Sequence, residues 1–284
     1  MICFNIQYRY NANFRICLKI SSAPDPPRIW WSTTGPLTFL PIHAAGLYNT
    51  REAGFKISDF VVSSYTPTLT ALLVEPLIAK RAFQGLLAVS QPGTPGLSRL
   101  PNAEKELTQI KQLCSSLDVH SLLGDLATTE SVVEGMELHS WVHLACHAVQ
   151  DAFEPTRSAF CLQNGHLTLS KIITKSFPHA DFAFLSACQT ATGDEKLSEE
   201  AVHLAAGMLA AGYRSVIATM WSIMDDDAPL VAAEVYSHLI RGSEPDSTQA
   251  AYALHHAVRC LRERLEESGQ PSFLSWVPFI HVGM

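Results

Sequence analysis

The sequence predicts an α/β protein with a mostly parallel sheet and helices on both faces of that sheet. Short apolar runs rich in β-branched residues alternate along the chain with longer amphipathic runs, which is the pattern of βα units. The chain has 284 residues, of which 47% are hydrophobic and 17% charged. This length gives room for one large or two small domains with a sizeable core and no need of disulfide staples.

The first elements after the N-terminal region are predicted from turn residues. Thr34-Gly35-Pro36 separates two short apolar runs, Ile29–Trp31 and Leu37–Leu40, which predicts a hairpin. Phe60–Tyr65 is predicted as a strand because it is rich in β-branched and aromatic residues and ends before a proline. A helix is expected over Thr68–Leu77.

The next four elements alternate strictly between strand and helix. Leu86–Ser90 and Val119–Leu123 read as strands. Between them, Ala103–Leu117 places leucines and isoleucine at helical spacing with charged residues on the opposite face. Thr128–Leu138 is predicted as a helix with Thr128 as its N-cap.

The remaining strands and helices repeat this alternation. Trp141–Cys146 and Phe182–Ala187 are strongly apolar and are predicted as strands. Between them, Asn164-Gly165 joins Ala159–Leu162 to His166–Leu169 in a second predicted hairpin. The last predicted elements are the helix Ser198–Ala211, the strand Arg214–Trp221, the helices Ala228–Arg241 and Thr248–Glu267, and the strand Trp276–Val282.

Residues 1–27 differ from the rest of the chain. They are rich in Asn and Tyr and end in a proline cluster at positions 24, 26 and 27. We therefore expect an atypical leader at 1–27, poorly ordered, and a single domain at 28–284.

Charge and composition exclude several function classes. The chain has 20 basic and 27 acidic residues and a net charge of −7, so it lacks the basic footprint of a nucleic-acid-binding protein. No basic amphipathic segment suits a membrane surface, and no apolar run reaches the ~18 residues of a membrane-spanning helix. The seven cysteines form no C-x-x-C pair, and the N-terminus lacks a signal-peptide core. These features predict a soluble, intracellular, cytoplasmic protein that binds neither nucleic acid nor membranes.

Two reactive side chains follow neighbouring predicted strands. His147 comes after the strand WVHLAC and Cys188 comes after the strand FAFLSA. Functional groups gather at the carboxyl ends of parallel strands, and a histidine beside a cysteine is the minimal set for a thiol hydrolase. The alternative is that Cys188 is simply a core residue, since cysteine is among the most buried residue types.

A metal site is not predicted. His139, His143 and His147 are spaced four residues apart and would align on a helix. The segment reads as a strand, however, and there His143 and His147 would be about 13 Å apart, which is too far for one ion.

The segment SWVHLACHAVQD, a hairpin and then DFAFLSACQTATGD resemble the CHAT family, the caspase-like domains associated with tetratricopeptide repeats. The resemblance continues through EEAVHLAAGMLAAGYRSVIATMWSIMDDDAP to WVPFIHVG and covers roughly residues 28 to 284. It implies a caspase-hemoglobinase-like α/β fold. No period of 20 to 50 residues repeats in the chain, although the family commonly carries tetratricopeptide repeats before this domain.

The resemblance also implies an activity: a thiol protease, that is, a cysteine-type hydrolase of protein or peptide substrates. The family histidine falls on His147 and the family nucleophile on Cys188, with the backbone N–H groups of Ala148 and Cys188 as oxyanion donors. No cofactor or metal is needed, and a regulatory protein is a possible partner. Ala148 stands where the family commonly has glycine, so the alternative is a catalytically silent domain that acts in signalling by interaction alone.

Acidic residues near the strand ends suggest a specificity. Asp194 (with Glu195) follows Cys188 closely, and Asp225 to Asp227 follow the strand that ends at Trp221. A carboxylate from Asp194, Asp225 or Asp227 in the substrate pocket would favour a Lys or Arg side chain before the scissile bond. The alternative is that both acidic runs simply lie at helix N-termini, where the helix dipole favours them.

Overall fold

The protein was analysed as a computed structural model that describes residues 2–7, 13–18, 26–50, 52–73, 82–151, 153–189, 201–270 and 272–284. Its strands are β1 (Ile2–Gln7), β2 (Asn13–Leu18), β3 (Arg28–Trp31), β4 (Val62–Tyr65), β5 (Leu86–Ser90), β6 (Val119–Leu123), β7 (Trp141–Val149), β8 (Ala159–Leu162), β9 (Gly165–Thr168), β10 (Phe182–Gln189), β11 (Ser215–Thr219) and β12 (Phe279–Gly283). Its helices are α1 (Leu69–Leu73), α2 (Pro101–Leu113), α3 (Thr129–Leu138), α4 (Leu169–Ile173), α5 (Ala201–Ala210), α6 (Ala228–Leu239), α7 (Ala250–Glu267) and α8 (Phe273–Trp276).

One large sheet organises the molecule. Its strand order is β3-β4-β12-β11-β10-β7-β5-β6, and β8 and β9 extend from the end of β7. Every neighbouring pair along the main path is parallel except β11 with β12. The central strands β5, β7 and β11 are buried on both faces, which explains their nearly continuous apolar sequences.

Helices cover both faces of this sheet. On one face, α3, α4 and α5 pack their apolar residues against alternate side chains of the strands, among them Val142 and Leu144. On the other face, α2, α6 and α7 pack against the intervening side chains, among them Trp141 and Phe184. The predicted α/β fold class, a mostly parallel sheet with helices on both faces, is confirmed.

The first predicted hairpin is wrong. The strand at Ile29–Trp31 is present within β3, but Leu37–Leu40 is not its partner, because residues 35–39 form a 3-10 helix with a proline in its first turn. β3 pairs instead in parallel with β4, so that Trp31 lies opposite Tyr65. The second predicted hairpin is confirmed, since β8 and β9 pair in antiparallel fashion, although its turn residues are Gln163 and Asn164 and Gly165 already belongs to β9.

Other elements were located correctly with shifted ends. Thr128 is the N-cap of α3, and its hydroxyl oxygen accepts the backbone N–H of Ser131 at 3.2 Å, as predicted. The predicted helix at 68–77 is present as α1, and residues 74–77 lie outside the described part of the chain. β7 extends three residues beyond its predicted end and β10 extends two. His147 therefore lies within β7, and Cys188 lies within β10.

Residues 1–27 contain an antiparallel pair of strands, β1 with β2. The structure assigns them to a sheet of their own. The boundary at residue 28 stays a prediction.

Candidate functional site

His147 and Cys188 lie side by side on adjacent parallel strands. β7 and β10 are in register over eight residue pairs, and His147 is the partner of Cys188 in this register. Neighbouring strands are about 4.8 Å apart, which sets the separation of the two backbones. The backbone of Cys188 is described, whereas its side chain is not.

The His147 ring is buried and held from one side. Its Nε2 atom lies 2.7 Å from the carbonyl oxygen of Ser98, and the residue is 2% exposed. A carbonyl oxygen only accepts hydrogen bonds, so Nε2 carries the proton. In the neutral ring Nδ1 is then the unprotonated nitrogen, and it is buried without a hydrogen-bond partner among the described residues.

The loop that presents the Ser98 carbonyl is firmly attached. Where it leaves β5, the Gln91 N–H donates to the carbonyl of Ala145 on β7, and its side-chain amide donates to Gln163 Oε1 at 2.8 Å. Where it enters α2, the Leu100 N–H donates to the carbonyl of Pro92, which closes the loop on itself. The ring of His147 is therefore oriented by a backbone oxygen in a fixed position.

The second histidine of β7 has a different environment. His143 is fully buried, and its Nε2 lies 3.2 Å from Oε1 of Glu106 on α2. The two atoms lie close together, but neither forms a hydrogen bond with the described residues. Tyr236 lies 3.3 Å from His143 Nδ1, and the Ser186 hydroxyl donates to Glu106 Oε2 at 3.0 Å. His143 thus belongs to a buried polar cluster between the sheet, α2 and α6.

The acidic residues that were predicted to set the specificity have different surroundings in the structure. Asp194 and Glu195 lie outside the described residues. Asp225 accepts the backbone N–H of Asn102 at 3.0 Å and so caps the N-terminus of α2, four residues after Ser98. Asp227 immediately precedes α6 and is 7% exposed. Burial raises the pKa of its carboxyl group, and a hydrogen bond with Ser275 acts in the opposite direction.

Asp225 and His147 therefore contact the same short segment. His147 binds the Ser98 carbonyl, and Asp225 binds the N–H at the second residue of α2. The acidic run and the His147 ring consequently lie at the same edge of the sheet.

Ala148 lies inside β7 between two paired strands. Its partners are Gln189 on β10 and Phe160 on β8. The strand continues through this residue in an extended conformation. Alanine adopts that conformation without the strain that a left-handed backbone would cause.

Other described thiols differ from the expected nucleophile. Cys114 and Cys161 are buried, and this burial raises the pKa of each thiol to about 11. These two thiols remain protonated at neutral pH. They act as core residues.

Sequence reasoning identified the two strands but missed the residues that orient the site. Ser98 contributes only its backbone oxygen, which leaves no trace in the sequence. Glu106 occupies an apolar position of the amphipathic helix, and a buried carboxylate at such a position is the signal that was available.

The fold is a mostly parallel sheet with helices on both faces, and a histidine and a cysteine occupy paired positions on two of its neighbouring strands. Residues 12–284 match the family model described as the CHAT domain. The chain belongs to the CHAT family, as its resemblance predicted. The match begins within the segment 1–27, and a search of curated proteins by sequence found no significant match.

Several solved structures are similar to the chain at low identity. The Arg-specific cysteine proteinase gingipain R shares 13% identity, with 71% of this chain and 46% of that chain covered and a TM-score of 0.43. The separase of Saccharomyces cerevisiae, in complex with securin, shares 14% identity, with 78% and 14% covered and a TM-score of 0.49. The complex of the pro- and mature domains of Porphyromonas gingivalis RgpB shares 10%, with 71% and 47% covered and a TM-score of 0.43. The chain spans less than half the length of each.

Within the described part of the chain, the helices are too short or too polar to cross a lipid bilayer.

Proposed function

We propose that the protein is a cysteine endopeptidase in which Cys188 is the nucleophile and His147 the general base. The observation that carries the proposal is the state of the His147 ring. Its Nε2–H donates to the Ser98 carbonyl, so Nδ1 is the acceptor nitrogen of the neutral ring, and it is buried without a partner among the described residues. The backbone register supports the proposal, because Cys188 on β10 is the partner of His147 on β7.

The reaction follows from these positions. Nδ1 of His147 takes the proton of the Cys188 thiol, and the thiolate attacks the carbonyl carbon of the scissile peptide bond. The backbone N–H groups of Cys188 and Ala148 are the proposed donors to the oxyanion. The imidazolium then gives its proton to the leaving amine. Water, deprotonated by the same ring, hydrolyses the acyl-enzyme and restores the thiol.

Peptide cleavage by purified variants tests this proposal. Cleavage in a lysate, followed by N-terminal peptide sequencing, should disappear in Cys188→Ala and in His147→Ala while far-ultraviolet circular dichroism is unchanged. Two controls change the same residue types elsewhere: Cys114→Ala, a buried residue directly after α2, and His179→Ala, an exposed loop residue. Both controls should cleave like the parent. Equal cleavage by Cys188→Ala would refute the proposal.

The competing function is a silent interaction domain that keeps the fold without turnover. Alkylation of Cys188 as a function of pH separates the two. An activated nucleophile should react with an apparent pKa below about 7.5, whereas an unassisted thiol titrates near about 8.5. His147→Ala should move the first value toward the second.

For specificity, we propose a preference for Lys or Arg before the scissile bond. Asp225 supports this best because it contacts the segment that also orients His147. Asp194 and Asp227 belong to the same proposal. In a peptide library, Asp225→Asn should reduce cleavage after Arg more than cleavage after uncharged residues. Dominant cleavage after Asp or after large apolar residues by the parent would contradict the preference. The matched control is Asp246→Asn, which removes the charge of an acidic residue at the 3-10 turn before α7.

A further inference from the structure

Helices α6 and α7 carry metal-ligating side chains at matching positions. Glu234 and His238 are four residues apart on α6, and His256 and Cys260 are four residues apart on α7. Residues at this spacing lie on the same side of a helix. The two helices pack directly against each other, so these sides meet.

The ligand atoms are close together. Nδ1 of His256 lies 3.6 Å from the Cys260 sulfur and 3.9 Å from a carboxylate oxygen of Glu234. All three ligand atoms lie within 4.8 Å of one another. Bonds of about 2.0 to 2.3 Å in a tetrahedral zinc site require separations of about 3.4 to 3.7 Å between ligand atoms. The cluster therefore needs only small side-chain adjustments to surround an ion.

We propose that Glu234, His256 and Cys260 form a zinc-binding site that joins α6 to α7. One nitrogen, one sulfur and one oxygen ligand suit Zn²⁺ better than the oxygen-preferring Mg²⁺ or Ca²⁺. Water takes the fourth position. Each ligand residue is partly exposed, so an ion has access from solvent. On binding, the Cys260 sulfur bonds to the ion and its proton passes to solvent.

Neighbouring groups fit this assignment. His238 lies beside the cluster, with its ring centroid 6.4 Å from that of His256, and its Nδ1 is buried without a hydrogen-bond partner among the described residues.

Metal titration of the full chain tests the proposal, with Co²⁺ as a spectroscopic substitute for Zn²⁺. Because Cys188 and His147 are also possible ligands, the titration is made in the Cys188→Ala background. One Co²⁺ per chain should bind and give a thiolate-to-cobalt charge-transfer band with visible bands of tetrahedral intensity. Cys260→Ser should abolish the charge-transfer band. Glu234→Gln and His256→Ala should each weaken Zn²⁺ binding, measured by calorimetry, by at least about 10-fold.

The matched control is Glu267→Gln, the exposed last residue of α7, about two turns beyond Cys260. This variant should bind Zn²⁺ like the parent. Absence of binding in the Cys188→Ala background, or an unchanged charge-transfer band in Cys260→Ser, would overturn the proposal. Because Cys188 is absent throughout, neither result bears on the peptidase function.

Discussion

Replacing Glu106 by alanine should strongly destabilise the fold. Glu106 is 2% exposed, yet it lies on the face of α2 that packs against the sheet. Its Oε2 accepts a hydrogen bond from the hydroxyl of Ser186 on β10, and its Oε1 lies 3.2 Å from Nε2 of His143 on β7. The substitution Glu106→Ala removes the acceptor of Ser186 and leaves a cavity beside His143.

The expected loss follows from these contacts. A buried donor left without an acceptor destabilises a protein by about 1–3 kcal/mol. The Ser186 hydroxyl loses its acceptor and the shortened side chain leaves a cavity, so we expect a decrease of about 3 kcal/mol in the free energy of unfolding. Glu106→Gln keeps the shape and one acceptor oxygen, and should lose about half as much.

Urea unfolding followed by tryptophan fluorescence measures this loss. Lys105→Ala, the exposed neighbour on α2, is the control and should remain within about 0.5 kcal/mol of the parent. If Glu106→Ala also stays within about 1 kcal/mol, the carboxylate is not the acceptor on which the two strands depend. Ser186→Ala offers a second check, because its effect should shrink when Glu106 is already alanine.

Three further predictions concern other parts of the molecule. Gly283→Ala should lower the free energy of unfolding by at least about 2 kcal/mol, since φ is +101° and a Cβ atom would meet a backbone carbonyl oxygen; Gly93→Ala, with open space around it, should stay within about 1 kcal/mol in the same urea titration. Burial lowers the pKa of His43 to about 4, so the folded state favours the neutral ring. Stability from this residue is complete above the unfolded pKa of about 6.5 and should fall by about 3 kcal/mol as the pH drops to 4, a loss that should be smaller in His43→Asn. Iodoacetamide at pH 8 should label Cys188 in the native protein and leave Cys161 unlabelled until urea is added, because burial raises the pKa of Cys161 to about 11; mass spectrometry of peptides would expose early labelling of Cys161 as a contradiction.

The sequence predicted the two strands of the candidate site because their apolar runs are unbroken. It placed their ends too early, since β8 pairs with the end of β7 and prolongs the strand past His147. The prediction of the first hairpin was wrong because β3, too, pairs with a strand that is distant in the sequence. Trp31 pairs with Tyr65, which is 34 positions away, and a local pattern contains no information about such a partner.

Local sequence patterns did not predict the polar contacts of the site either. The oxygen that orients His147 belongs to the backbone of Ser98, and any residue there would supply it. The contact of His143 with Glu106 joins a strand to a helix 37 positions earlier, and a local pattern does not reveal such a pair. The helix cluster is different. The i,i+4 pairs of Glu234 with His238 and His256 with Cys260 are visible in the sequence, although nothing in it says that the two helices meet.

The position of β12 in the sheet has a consequence for synthesis on the ribosome. β12, at residues 279–283, lies between β4 and β11, and it is the strand that connects the β3–β4 pair to the rest of the sheet. Arg28 and Trp30 also donate hydrogen bonds to the Gly283 carbonyl. While the chain is being translated, β3 and β4 therefore emerge long before the strand beside which they belong. The sheet becomes continuous only when residues near 283 leave the exit tunnel, so the nascent domain depends on a late, long-range step and exposes an unpaired strand edge until then.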